Sequence, residues 1–445
     1  MENGTTALLG LAGLAVARVV RDDKDEDRAR VVHVVTDDPA AACCPGCGTP
    51  SSSPKAWATT RPKDLPYGPE PVELRWRKRR WRCHNTDCAR KTFTEAIEAV
   101  PPRMRTTTRL REAIAQGVEA GRAVDEVAAA HGVSWPTAQR AVDAYAAREL
   151  GEPEPTPLLG MDETRFGRPR WIRTIDGPDQ AERWVRLEPW ETGFVDLRCA
   201  EAGGQGLLGQ VDGRSGAAVL RWLAQRDLAF RDAVEIVALD PSAPYAAAVR
   251  GALPQARVVV DHFHLVALAN QALTAVRQRV TREQLGRRGR RRDPVWANRR
   301  LLLRGRERLS ARAMARMWNG AIDHEPTGQL LAAWIAKEEL RSLLALAAAR
   351  DDPRARETVR RRLWAFYSWC ADTDIPELHT LAATIEAWWP AVEVFLSTGI
   401  TNARTEGTNR LVKQVKRAAC GFRNRGNYRT RVRLLCTRST RRSAA

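Results

Sequence analysis

Between residues 158 and 265 short β-like runs alternate with helical ones, and this alternation restricts the fold more than any other feature of the chain. "LLGMDE", "RWVRLEPW" and "GFVDLRCA" predict three strands. "SGAAVLRWLAQR" predicts a helix, "VEIVALD" a strand, "PYAAAVRGAL" a helix and "ARVVVDHFHL" a strand. Strands interleaved with helices imply an α/β layer.

Carboxylates fall at the ends of these strands. Asp162 lies in or just after the first strand, and Asp240 ends "VEIVALD". Two adjacent strands of a parallel or mixed sheet bring such acids to one edge. A third, Glu406, is the single acid of "TNARTEGTNRLVKQVKRAACGFRNRG", in a stretch otherwise rich in Arg and Lys. A lone acid among bases is ordinarily a weak surface salt-bridge partner. It is alternatively a metal ligand held beside a polyanion. Clustered carboxylates repel one another, and their pKa values rise unless cations neutralise them. Such oxygen ligands suit Mg²⁺ or Mn²⁺. Two of these ions activate a water or a 3′-hydroxyl and stabilise the leaving oxygen in phosphodiester transfer. Taken singly, each acid also has a surface or capping reading. Asp261 and His264, in "VVVDHFHLV", form a D-x-x-H that orients a phosphate, positions a metal-bound water, or simply packs.

The charge balance agrees with a polyanionic partner. The chain has 445 residues, a formal net charge of +19 and 64 Arg against 8 Lys. Arginine makes bidentate contacts with phosphate, although a GC-rich genome also favours it. Such length suggests about two to four domains. The run "ALLGLAGLAVARVV" is too short to span a bilayer, lacks the basic flank of an export signal, and is read as an opening strand. Nine cysteines, four in close pairs, favour a reducing cytoplasm and metal binding over a disulfide framework.

Composition divides the chain into a cysteine-bearing, strand-like N-terminal domain (1–103), a helical domain (104–150), and a proline-rich linker (151–157). The α/β segment (158–265), a Trp-rich helical segment (266–400) and a basic C-terminal part (401–445) follow. In the first, Cys44 and Cys47 form a C-x-x-C, and Cys83 and Cys88 a C-x-x-x-x-C. Two such pairs complete a tetrahedral structural zinc site. Cys43 and His84 are near enough to substitute, and four unpaired cysteines is the plain alternative. Cys199, Cys370, Cys420 and Cys436 read as packing residues.

In the second domain, "AVDEVAAAHGVSWPTAQRAVDAYAAR" has a periodic helix, a turn at Gly132, Ser134 as N-cap and Pro136 early in the next helix. That is a helix-turn-helix layout, or else an ordinary helical hairpin. In the first case the second helix enters the major groove, with Trp135, Thr137, Gln139 and Arg140 as candidate DNA contacts. In the helical segment, "RRGRRRD" offers Arg287, Arg288, Arg290, Arg291 and Arg292 to phosphates, the alternative being a solvated loop. Trp296, Trp318, Trp334, Trp364, Trp369, Trp388 and Trp389 read mostly as core, with one or two free to stack on a base.

Together these blocks resemble the DDE transposases of bacterial insertion sequences, specifically the ISL-three (ISL3) family, over about residues 6–437. "CPGCG…RPKDLPYG…RKRRWRCHNTDCARKTFTE" is similar to the family's zinc finger. "GMDETRFGR", "GRSGAAVLRWL", "LDPSAPYAAAVRGALPQARVVVDHFHL" and "TNARTEGTNRLVKQVKRAACGFRNRGNYRTR" are similar to its catalytic blocks, in order. The resemblance implies an RNase H-like core with a large all-helical insertion, preceded by a zinc finger and a helix-turn-helix. It implies Asp162, Asp240 and Glu406 as the metal-binding triad, and "DHFH" as the D-x-x-H of related enzymes. Arg404, Arg410, Lys413, Lys416, Arg417, Arg423 and Arg425 would then hold DNA beside the metals. Glu163 is a rival ligand, expected on the opposite face of its strand. The implied activity is cleavage at terminal inverted repeats and joining to target DNA. It would use two Mg²⁺ or Mn²⁺ ions per site, in at least a homodimer, in the bacterial cytoplasm at the nucleoid, with no membrane partner.

Overall fold

The computed structural model of the chain describes residues 4–21, 30–67, 72–175 and 182–444. They form two compact units, Met1–Gly151 with Gln414–Leu435, and Glu152–Lys413 with Cys436–Ala445.

The first unit begins with a helix, α1 (Gly4–Leu9), where the apolar opening run suggested only a strand. Gly10 and Gly13, at φ of 59° and 79°, separate it from β1 (Leu14–Arg21). β2 (Arg30–Thr36), β3 (Pro54–Thr60), β4 (Val72–Arg82) and β5 (Thr92–Thr94) complete a sheet ordered β1-β2-β4-β3, with β5 also on β4. Leu14, Val16, Val32, Val34, Leu74 and Trp76 alternate inward along the strands and form its core. Glu95, itself buried, accepts hydrogen bonds from the Thr36 hydroxyl, the Arg79 amide and the Trp81 indole. This buried carboxylate therefore fixes the strands that lead to the cysteines.

Three helices follow: α2 (Thr108–Glu119), α3 (Val124–Ala130) and α4 (Trp135–Glu149). Thr107 caps α2, and its hydroxyl donates to Asp64, which also pairs with Arg109. Pro136 occupies the first turn of α4, where its missing N–H costs nothing. Ser134 stands at the N-cap, but its hydroxyl pairs with Thr137 rather than with the backbone. The helical core of Leu110, Ile114, Val118, Val127, Ala138 and Val142 includes Leu434 from the far end of the sequence. Near it, the Arg431 guanidinium donates to the Arg122 carbonyl at 2.9 Å.

The second unit holds a five-stranded sheet ordered β10-β9-β6-β11-β12: β6 (Leu158–Arg165), β9 (Trp190–Asp196), β10 (Leu207–Asp212), β11 (Ile236–Leu239) and β12 (Arg257–Val260). β10, β9 and β6 run antiparallel, whereas β6, β11 and β12 are parallel. β7 (Arg170–Ile175) and β8 (Glu182–Leu187) form a separate ribbon. The expected strand "RWVRLEPW" is thus two pieces, interrupted at Pro189, which cannot donate to a ladder. Helices α5 (Gly216–Ala224), α6 (Leu228–Ala233) and α7 (Ala243–Ala252) connect the later strands. Trp222 of α5 stacks on Phe194 of β9 at 3.9 Å, sealing that face of the sheet.

"DHFHL" is not strand. Val260 ends β12, Asp261 sits at the N-cap, and α8 (His262–Leu285) begins at once. The residues after it are helical: α9 (Pro294–Ala297), α10 (Arg299–Leu302), α11 (Ala311–Ile322), α12 (Gln329–Leu344), α13 (Ala355–Asp372) and α14 (Pro376–Thr398). Trp334 is buried there, and Trp318, Trp369, Trp388 and Trp389 pack against the same core, while Trp364 is exposed. The basic C-terminal stretch is two helices, α15 (Ala403–Ala418) and α16 (Arg425–Ala444). Among the described residues, no helix is long and apolar enough to cross a membrane.

Candidate active site and zinc centre

The parallel strands bring three acids into line. Ala238 lies opposite Gly160, two residues before Asp240 and Asp162 respectively, and Leu239 lies opposite Val260, one residue before Asp240 and Asp261. All three carboxylates therefore emerge along one edge of the sheet. Asp240, Asp261 and His264 offer ligand atoms that all lie within 4.8 Å of one another. His264, in the first turn of α8, presents Nε2 to Asp240 at 3.0 Å and Nδ1 to Asp261 at 3.1 Å. Those two bonds, the one to Asp240 first, push its pKa up to about 10. Burial alone would raise the Asp261 carboxyl, but the His262 ring 3.5 Å away and the hydrogen bond from His264 hold it down to about 2.

Asp162 is pushed up to about 7, first by burial and then by the nearby charge of Asp240. Glu163 is raised by the same two causes. Both neighbours on β6 thus feel the charge of Asp240.

α15 is pinned against β6 beside these acids. Asn402 donates to the Met161 carbonyl at 3.1 Å, and Asn409 donates to Asp162 Oδ2 at 2.5 Å. Gly160 permits this approach. A Cβ there would overlap Thr405 Oγ1 and stand 2.7 Å from Leu197 Cδ2. Glu406, half-buried, lies on the same helix one turn before Asn409. It is not a member of the Asp240–Asp261–His264 group. Glu406, Arg410, Lys413 and Arg417 follow at spacings of four, three and four residues, so the carboxylate heads a basic stripe. Asn402, Thr405 and Asn409 were not foreseen. Their signal is a spacing of three and four that places polar side chains on one helical face, against a strand.

The acids, half-buried except for the buried Asp261 and mutually repelling, are the hard oxygen donors that suit a divalent cation. The cysteine cluster suits a softer one. Sγ of Cys44 and Cys88 are 3.9 Å apart and those of Cys47 and Cys83 are 3.6 Å apart. Tetrahedral Zn–S bonds of ~2.3 Å require S···S separations of about 3.8 Å. All four sulfurs lie within 4.8 Å of one another, and Cys43 and His84 are outside the group. Trp81 and Phe93 pack around the cluster.

The basic residues are placed as follows. Trp135 and Arg140 are exposed on α4, whereas Gln139 is buried with its amide on Asp143. Thr137 is half-buried on Ser134. Arg287 is held internally by Asp293 at 2.7 Å, leaving Arg288, Arg290, Arg291 and Arg292 at the surface. Arg404, Arg410, Lys413, Arg417 and Arg423 are exposed, and Lys416 and Arg425 are half-buried.

Three family profiles match in the order of these elements. Residues 40–88 match the "zinc-finger of transposase IS204/IS1001/IS1096/IS1165", residues 95–146 the "Helix-turn-helix domain of transposase family ISL3", and residues 185–432 a profile described as "Transposase". The chain is 23% identical over 432 residues to the transposase for insertion sequence element IS1001 of Bordetella parapertussis, covering 96% of each protein. It is 30% identical over 182 residues to the transposase for insertion sequence element IS1557 of Mycobacterium tuberculosis, covering 38% of this chain and 40% of the relative. The cysteine cluster, the α2–α4 helices and the strand-edge acids Asp240 and Asp261 thus fall within the three matched regions, with Asp162 just before the third, and the chain belongs to the ISL3 family of insertion-sequence transposases.

Proposed function

We propose that this transposase cuts DNA at the terminal inverted repeats of its own element and joins the freed 3′-hydroxyls to target DNA. The observation that carries the reading is the alignment of Asp162, Asp240 and Asp261 along one strand edge, with α15 pinned to Asp162 by Asn409. The strand order, three antiparallel and two parallel, supports an RNase H-like core, with the helices after β12 as an insertion before α15. Asp162, Asp240 and Glu406 are the proposed metal ligands. His264, held between Asp240 and Asp261, sets the orientation of those carboxylates.

Mg²⁺ or Mn²⁺ held by these acids would supply a Lewis acid for phosphodiester chemistry. The protein's own part is positional. Asp162 and Asp240 are fixed by the β-ladder, Glu406 by α15, and Arg410, Lys413 and Arg417 extend from the same helix to hold phosphates. The zinc domain and α4 bind the repeat ends, and a dimer on DNA holds two ends together.

The test is cleavage and joining on DNA carrying the element's ends with Mg²⁺, comparing wild type with Glu406→Gln. Wild type should nick and join, while the variant binds the ends and does neither. Equal cutting by the variant would remove Glu406 from the triad. Binding without cutting by both proteins would favour a regulator.

A further inference from the structure

The ribbon β7–β8 leaves the strand that carries Asp162 and returns to β9. Among the described residues it pairs with no other strand, and a lone two-stranded ribbon is only marginally stable in water. Its large side chains lie open: Trp171 is 63% exposed, Trp184 64% and Ile175 66%.

The register defines one face. Trp171 lies opposite Arg186, and Arg173 opposite Trp184. Cross-strand partners share a face, as do residues two apart in a strand. One face therefore carries a checkerboard of two tryptophans and two arginines, bordered by Ile175 opposite Glu182. Arg173 pairs with Glu182 at 2.5 Å at the surface, and the exposed Arg186 reaches the half-buried Glu188 at 3.2 Å. Such exposed pairs are weak and exchange readily for a phosphate. The base of the ribbon is held firmly. Glu188 accepts from the Trp190 indole at 2.9 Å, and the Arg165 and Arg214 guanidiniums lie 4.7 and 4.6 Å over the Trp190 ring.

We infer that this face binds a single DNA strand, with unpaired bases on Trp171 and Trp184 and phosphates on Arg173 and Arg186. The inference rests on the DNA-processing reading above. Stacking aromatics interleaved with cations are the platform single strands use. The charge on this face agrees: Arg173 and Arg186 stand against Glu182 alone, and Arg170 and Arg183 add positive charge on the reverse face.

The experiment is fluorescence anisotropy of the full-length protein with a labelled oligothymidylate and, separately, with duplex end DNA. Trp171→Ala with Trp184→Ala should weaken oligothymidylate binding by about ten-fold or more, with duplex binding and melting temperature unchanged. Phe at both positions should restore most of the affinity. Arg173→Ala with Arg186→Ala should flatten the salt dependence of single-strand binding by roughly 1.4 in log–log slope, two phosphates at ~0.7 each. Wild-type oligothymidylate affinity in the double alanine variant overturns the inference. So does an equal loss on duplex and single strand, which would make the ribbon a groove reader. Loss of self-association by sedimentation, with both affinities intact, overturns it in favour of an interface between copies. If wild type fails to cleave its ends yet the alanine variant still loses oligothymidylate, the cleavage reading falls and the ribbon assignment stands.

Discussion

Asn409 donates its side-chain amide to Asp162 Oδ2 across 2.5 Å, joining positions 247 residues apart in the chain. The bond ties the helix bearing Glu406 to the strand bearing Asp162. Asn409→Ala should lower end cleavage by about 10- to 100-fold, the usual range when a residue supporting metal ligands is removed. Asn409→Asp should lose more, because a further carboxylate would face Asp162. Single-turnover cleavage measures both, and an unchanged rate in the alanine variant would show that Asp162 needs no such support.

Gly160→Ala should destabilise the second unit by about 1–3 kcal/mol through overpacking. The added methyl would overlap Thr405 Oγ1 and stand 2.7 Å from Leu197 Cδ2 and 3.0 Å from Asn402 Oδ1. Combining it with Thr405→Ala removes one of the three obstructions and should recover part of the loss. Thermal denaturation of the two variants decides it. No recovery would mean that Leu197 and Asn402 dominate the clash.

Zinc removal should act on end binding. The four-sulfur cluster, one among the described residues, predicts one tightly held zinc per chain. Cys88→Ser should abolish it, expose Trp81 and Phe93, and cut end affinity, whereas Glu406→Gln should retain full zinc. Metal analysis of the purified proteins checks the stoichiometry, and zinc in Cys88→Ser equal to wild type would discredit the quartet.

Asp196 predicts an acid limb of stability. Burial on its own would raise its carboxyl, but the Arg198 guanidinium, the amides of Arg198 and Gln205 and the Thr156 hydroxyl hold it below the ordinary carboxylate range. A carboxyl lowered in the folded state stabilises fully above its unfolded pKa of about 3.9. That contribution is lost as pH falls through the lower folded value. Asp196→Asn should therefore cost roughly 2–3 kcal/mol at neutral pH and flatten the decline below pH ~4. Denaturant melts across pH read this directly, and parallel curves for the two proteins would contradict it.

Much of the site was legible because strand ends and cysteine spacings are local signals. Asp162 and Asp240 read as strand-end acids, and the two cysteine pairs as one cluster, because each depends on a few neighbouring residues. What was not legible depends on contacts or on punctuation. The apolar opening run looked continuous, but Gly10 and Gly13 break it into helix and strand. "DHFHL" continued a valine-rich strand in pattern, yet Asp261 stands at the N-cap and His262 starts a helix. β10 was missed because "LLGQVD" is short and follows glycines. Asn409 gave no sign of its role, because its partner is fixed by tertiary packing alone. The C-terminal arginines obscured a second helix, whose Tyr428, Val432 and Leu434 are fully buried.

That last helix also affects how the protein is born. Gln414–Leu435 belongs to the same compact unit as Met1–Gly151, with Leu434 in the helical core and Arg431 on the Arg122 carbonyl. The ribosome must make the intervening 262 residues, 152–413, before this unit can close. At bacterial synthesis rates that is a wait of roughly 13–50 s. A nascent chain arrested at residue 413 should leave α2–α4 open to protease, and release of the full chain should protect them. Fragments from prematurely ended translation would then lack a finished DNA-gripping unit.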